Sequence, residues 1–197
     1  MPRLPLAALL AAPLATLVGL AAPQVSLAAD TAKQPVIACE GNERNLQTYL
    51  KIHKVLFMDR DSTRVAEFYA PEVISHNLDS GGGAARPVKS SAMAAMWAAS
   101  KKNDPGRVLA DDLILCTGDY VVVRTTLHGT DNTGVEGWPA TGKSYAISAT
   151  DIYRFKDDKV VERWGNADLV SMFRQIGYTL VPADKAPAPP TPPKHHH

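Results

Sequence analysis

The chain of 197 residues holds only 2 cysteines and no C-x-x-C pair, so zinc and dithiol redox motifs are absent. It also lacks an excess of either charge: 21 basic residues face 20 acidic ones. Setting aside Arg3, which lies in an apolar N-terminal segment, the rest is about neutral. No basic stripe with interleaved aromatics occurs, which argues against a nucleic-acid partner and gives no support to a membrane-surface role. Nor is there an apolar run of the roughly 20 residues that a membrane span needs. The run from Leu6 to Leu20 is shorter and is interrupted by Pro13. No internal repeat is present, and Gly81 to Gly83 lack the following strand and helix start that a phosphate cradle requires.

What the N-terminus does have is a positive charge, an apolar stretch, and the small residues Ser26 and Ala28 flanking Leu27. These are the marks of a signal peptide over residues 1–28, cut after Ala28. The expected location is therefore periplasmic or secreted, with no membrane attachment after cleavage. In an oxidising compartment Cys39 and Cys116 can form a bridge, but two buried free thiols fit the sequence equally well. "VIAC", Val36 to Cys39, has the form of a lipoprotein cleavage box but sits too far from the apolar run. Residues 29–41 read as a linker and 42–180 as one domain. The tail 181–197 is rich in proline and alanine and cannot bury enough apolar surface to fold. Its closing His195 to His197 read as an incidental run, and no metal is expected.

Within the domain, Leu46, Tyr49, Leu50, His53, Leu56 and Phe57 recur at three- and four-residue spacing, the apolar face of a helix capped by Asn42 or Asn45. A shorter helix follows from Asp61 or Ser62, with Val65, Phe68 and Tyr69 inward and Pro71 ending it. A third helix presents Met93, Met96 and Trp97. The period then drops to 2. Residues 107–130 predict two strands joined at Gly118-Asp119, and 143–155 a strand with Tyr145, Ile147, Ala149, Asp151, Tyr153 and Phe155 on one face. After the turn "KDDK" come a strand around "VVERW" and a last helix ending at Gly177. Helices followed by an antiparallel meander predict an α+β domain, its helices on one side of a sheet. A sheet that curls around a helix leaves a concave mouth suited to a small ligand.

Several residues combine in a more specific pattern: Gly137-Trp138-Pro139-Ala140-Thr141-Gly142-Lys143, then Asp151-Ile152-Tyr153-Arg154-Phe155, then Trp164, Asp168 and Arg174-Gln175-Ile176-Gly177. In this order and spacing the block resembles the SnoaL-like polyketide cyclases, or predicted ester cyclases, of the nuclear-transport-factor-2-like superfamily. With the helices before it, the likeness spans about Asn42 to Leu180. It implies a cone-shaped, curved antiparallel sheet wrapped around N-terminal helices, paired into a homodimer through the outer face of the sheet. It also implies cofactor-free ring closure by intramolecular aldol condensation with an aspartate as acid and base. That aspartate corresponds to Asp168, and the family's histidine to His76. One departure stands out: where the family has Gly-Thr-His before the glycine loop, this chain has Asp131. Limonene-epoxide-hydrolase relatives carry an arginine-x-aspartate and a second aspartate at places occupied here by Arg124-x-Thr126 and Gly165, so epoxide hydrolysis is disfavoured.

Enolate chemistry needs a base beside a carbon acid, a donor for the oxyanion, and a dry pocket. Asp168 can serve if Trp164 and inward aromatics desolvate it and Asn166 caps the helix in its place. Otherwise Asp168 is itself the cap, which lowers its pKa. His76 and Asn77 can donate to a carbonyl, although a solvated histidine is the ordinary explanation. His53 on the inner helix face reads as a core histidine or a pocket contact. Asp151 either pairs with Arg124 or Arg163 or lines the pocket with Tyr145. Trp97, Trp138 and Trp164 pack or line the cavity. The expectation is a binder of a small apolar carbonyl compound, acting as a cyclase, aldol-type lyase or isomerase, or else a non-catalytic ligand-binding or assembly module.

Overall fold

A computed structural model describes residues 34–76, 84–135 and 138–185. The expected signal peptide, Asn77, Gly81 to Gly83 and the tail from 186 lie outside these residues. The described chain is mixed α and β, with one curved, unclosed sheet of seven strands in the order β1-β4-β5-β6-β7-β2-β3. These are β1 (Val36–Cys39), β2 (Tyr69–Ser75), β3 (Arg86–Lys89), β4 (Val108–Thr117), β5 (Tyr120–Thr130), β6 (Ser144–Lys156) and β7 (Lys159–Ala167). The helices are α1 (Glu43–Ile52), α2 (Val65–Phe68), α3 (Ser90–Asn103) and α4 (Leu169–Ile176). No helix among the described residues is long and apolar enough to cross a membrane.

The long antiparallel run β4–β7 follows from the period-2 pattern. Along β5, Val121, Val123, Thr125 and Leu127 are buried while Tyr120, Arg124 and His128 are exposed. The register pairs Val121 with Tyr153, Val123 with Asp151 and Leu127 with Ile147, so these residues share the inner face. Against that face pack Leu46, Tyr49, Ile52 and Leu56 of the first helical segment and Met93 of α3, each nearly without solvent contact. Such burial contributes on the order of 2 kcal/mol per large apolar side chain. Both hairpin turns use left-handed backbone: Gly118 at φ 51°, and Asp157 and Asp158 at 51° and 60°. Gly177 at φ 99° closes α4, where its positive φ is an ordinary helix stop.

Three departures from the sequence reading have physical causes. The first helix does not keep its 3.6 period: His53–Met58 is a π-helical turn, with Asp59 N–H bonded to the Lys54 carbonyl at 2.9 Å. The second helix ends at Phe68, not at Pro71, because Tyr69 turns extended and pairs with Val160. Pro71 then sits inside β2, at the irregularity in its register with β7 between Tyr69 and Ile74, where a missing N–H is tolerated. Finally, part of the expected linker is strand β1, paired in parallel with β4. Its last residue, Cys39, lies opposite Cys116 and is disulfide-bonded to it. That bond pins an edge strand whose Val36 and Ile37 are exposed.

The bridge closes a loop with 77 residues of sequence separation, long enough for a large effect on the unfolded chain. Replacing both cysteines by alanine is expected to cost about 2–5 kcal/mol, read as a lower urea midpoint at unchanged slope.

Candidate functional site

The inner face of the sheet is mostly apolar but carries two polar groups, one of them on β6 and β7. Asp151 and Tyr153 of β6 and Arg163 of β7 point inward together, because Tyr153 pairs with Arg163 across the strands. Arg163 Nη2 donates to Asp151 Oδ1 at 2.7 Å, and both side chains are largely shielded from solvent. Burial alone pulls the Arg163 guanidinium down, but Asp151 with the neighbouring Tyr153 and Tyr69 outweighs it, so Arg163 is held firmly cationic. A buried guanidinium needs such a partner.

This pair forms one wall of a cavity of ≈ 110 Å³. Leu56, Phe57, Trp97 and Leu109 supply apolar wall, and Arg60, Ser100 and Arg107 the polar part. Trp97 is fixed by edge-on contacts with Phe57 at 5.7 Å and Tyr69 at 5.5 Å. Arg60 reaches the cavity from a left-handed residue, φ 55°, just beyond the π-helical turn. Backbone irregularities of this kind, costly in isolation, recur at binding sites. Burial and the neighbouring Arg107 lower the pKa of Arg60, partly offset by Asp104.

Deeper in the cone lies a second polar group. Asp111 of β4 accepts from Tyr49 Oη at 2.9 Å and Thr125 Oγ1 at 3.3 Å. His53 Nδ1 lies 2.8 Å from Asp111 Oδ2, at ion-pair distance but without the alignment of a hydrogen bond. Burial pushes the Tyr49 and Tyr153 phenols well above their usual range, so both remain neutral. His53 is thus a core histidine beside a carboxylate, one turn from the cavity wall at Phe57.

The sequence-predicted residues separate into different places. Asp151 and Trp97 line the inner cavity. Tyr145 lines a neighbouring hollow of ≈ 290 Å³ that shares Ser100 and Arg107 with it. His76 and Trp164 are on the opposite, outer face, ring centroids 4.5 Å apart and nearly parallel. There His76 Nε2 contacts Glu162 Oε1 at 2.8 Å, and Glu162 also accepts from Arg154 Nε at 2.7 Å. Trp164 therefore desolvates His76 and not Asp168. Asp168 is the exposed N-cap of α4, accepting from Ser171 N–H at 3.0 Å and from its hydroxyl at 2.6 Å. Those two bonds hold its pKa below the usual carboxylate range, which suits a cap and opposes a base. Asn166 does not cap the helix in its place. Trp138 sits in the loop after β5, its N–H bonded to the Val135 carbonyl at 2.8 Å.

Two residues outside the sequence reading matter to the site. Arg60 and Arg107 gave no signal, since each is an isolated arginine with no motif around it. Asp131, noted only as a departure, is buried and organises its loop by accepting from Gly134 N–H and Thr141 N–H, both at 2.9 Å, and from the Thr141 hydroxyl at 3.0 Å. Burial pushes its carboxyl up, but those donors outweigh it and hold the pKa low. A side chain at Gly134, φ 79°, would collide with the Trp138 carbonyl, so the loop needs glycine there.

A family model described as SnoaL-like polyketide cyclase matches residues 47–176. Among solved structures, IdmH, a putative polyketide cyclase from Streptomyces antibioticus, is similar at TM-score 0.60 and 24% identity, covering 68% of this chain and 99% of its own. A putative polyketide cyclase from Acidithiobacillus ferrooxidans is similar at TM-score 0.59 and 16% identity, covering 67% and 93%. A putative SnoaL-like polyketide cyclase from Jannaschia sp. CCS1 gives TM-score 0.59, 19% identity, 69% and 93%. At these identities the solved structures carry the fold alone. No curated protein matches the chain.

The outer cluster yields a pH prediction. The His76 hydrogen bond, opposed by burial and aided by Arg154, depresses the pKa of Glu162 in the folded chain. A depressed carboxylate stabilises the fold above its unfolded pKa of about 4.3, and that stability is lost as pH falls through the folded value. Glu162→Gln should therefore be less stable than the parent at pH 7, with the gap closing below about pH 4 in urea titrations. Asp168→Ala should also lower stability, through the lost cap, without changing ligand affinity.

Proposed function

The chain belongs to the SnoaL-like polyketide cyclase family, and from that premise we propose that it binds a small, mostly apolar carbonyl compound in the inner cavity and acts on it without a cofactor as a cyclase, aldol-type lyase or isomerase. The observation that carries this reading is the presence of Asp151 in the wall of a cavity whose apolar part is Leu56, Phe57, Trp97 and Leu109 and whose polar part includes Arg60, Ser100, Arg107 and Arg163. Asp151, not Asp168, is then the acid/base group. One carboxylate oxygen is held by Arg163, which orients the side chain, and the other is the atom that takes an α-proton from the bound compound. The developing enolate oxygen would be met by the cavity's guanidinium N–H groups. Tyr153, kept neutral by burial, lines the same cavity.

One observation favours the second reading, a binding module that keeps the pocket without turnover. Asp151 Oδ1 is committed to the Arg163 ion pair at 2.7 Å, an arrangement that serves the packing of a buried guanidinium as readily as it serves proton transfer.

The protein is further proposed to be exported, to the periplasm or beyond, and to form a homodimer through the outer face of the sheet. The leader-like composition of residues 1–28 supports export, and the Cys39–Cys116 bridge is compatible with an oxidising compartment. Exposed Leu115 and Tyr120 on the outer face support pairing there.

Exchange of the methyl protons of acetophenone in heavy water, followed by NMR, tests the chemistry with a minimal carbonyl compound. The unaltered protein should accelerate exchange, Asp151→Asn should lose about 10²-fold or more of that acceleration, and Asp168→Asn should retain it. Saturable binding with no acceleration in any form would establish the binding module instead.

A further inference from the structure

We infer that the inner cavity selects a ligand carrying a single carboxylate, held by Arg60 and Arg107, so that the substrate class is a small apolar keto acid or similar monoanion and not a neutral carbonyl compound. This rests on the reading that the inner cavity is the ligand site, and adds to it the charge of the ligand.

The polar end of the cavity is built from Arg60, Ser100 and Arg107. The Ser100 hydroxyl lies between the two guanidiniums, accepting from Arg107 Nη1 at 3.0 Å and lying 3.5 Å from Arg60 Nη2. Arg60 Nη1 donates to the Asp104 backbone carbonyl. Neither guanidinium has a carboxylate of its own: among the described residues no carboxylate oxygen lies within 4.0 Å of a nitrogen of Arg60 or Arg107. Arg107 Nε is buried with no hydrogen-bond partner. The neighbouring carboxylate, Asp104, is turned to the Thr130 N–H at 3.1 Å.

Arg163 is different, since Asp151 neutralises it. Among the residues that line the cavity itself, Arg60, Arg107 and Arg163 stand against Asp151 alone, so the end built by Arg60 and Arg107 is cationic in a half-enclosed, partly apolar space. Two like charges brought together at such a site cost stability unless a counter-ion arrives. A guanidinium's planar fork matches a carboxylate, and the apolar wall of Phe57, Trp97 and Leu109 matches the rest of a small organic acid. With the carboxylate at Arg60 and Arg107, the body of the ligand extends along Trp97 toward Asp151.

The test compares benzoate with acetophenone, which have the same ring and nearly the same size but differ in charge. Affinities are measured by calorimetry on the full chain and on Arg107→Gln, Arg60→Gln and Arg107→Lys. The parent should bind benzoate about tenfold or more tightly than acetophenone, as charge-assisted hydrogen bonds imply. In both glutamine variants that ratio should fall toward one, and Arg107→Lys should keep part of it. Because the readout is a ratio within each protein, general loss of folded protein does not imitate it, and Arg60→Gln stands in if Arg107→Gln does not fold. Equal or tighter binding of acetophenone by the parent would overturn the inference while leaving the cavity as the ligand site. A high ratio unchanged in both glutamine variants would also overturn it, since selection would then arise elsewhere. Binding of neither compound would overturn the cavity reading and the inference with it.

Discussion

The Arg163–Asp151 pair is the constraint around which the inside of this protein is arranged. A guanidinium drawn into the concave side of a sheet cannot be left unpaired, and Asp151 on the neighbouring strand is the carboxylate that answers it. The register between β6 and β7 that brings them together also sets Tyr153 beside Arg163 and sends Glu162 and Trp164 outward. One-residue slippage would exchange the two sets and put the pair in solvent. The same alternation therefore defines the cavity and separates it from the histidine cluster on the other face.

Around this pair the polar groups form two tiers. Deep inside, Asp111 is satisfied by Tyr49 and Thr125 with His53 close by, a closed arrangement that leaves little for a ligand to do. Nearer the opening, Arg60 and Arg107 share one serine hydroxyl and lack carboxylates. Closed polar groups stabilise a core, whereas under-satisfied ones at a cavity mark where something else is meant to bind. The π-helical turn and the left-handed Arg60 carry the chain to that position at a cost in backbone energy.

Much of the fold was legible because it depends on period and punctuation. The 2-residue alternation of β5 and β6, the Gly118-Asp119 turn and the Gly177 stop are local signals, and each element is found where those signals lie. The π-helical turn was not legible, since its one-residue offset leaves the apolar spacing of a helix almost unchanged. Strand β1 was hidden for another reason: it is four residues long and is held by a parallel edge pairing and a bond to Cys116, both non-local. For the site, the inward face of β6 offered Asp151 either as the partner of Arg124 or Arg163 or as a pocket residue, and the fold gives it Arg163 and a place in the cavity wall. Asp168 and His76 were drawn from resemblance, and resemblance does not fix which way a side chain points. Asp168 faces Ser171 because a carboxylate directly before a helix is drawn to its free N–H groups. Arg60 and Arg107 come together only through the tertiary fold, so no spacing rule could have joined them.

The central claim is that ligand enters the inner cavity beside Trp97, and the three tryptophans stand at three distinguishable places: the cavity, the outer face and the loop after β5. The indole N–H resonances, assigned by single substitution and followed while benzoate is added, report on each place at once. The account predicts a saturable shift of the Trp97 resonance with Trp164 unmoved. A shift of Trp164 with Trp97 unmoved would place the ligand on the outer face and contradict it.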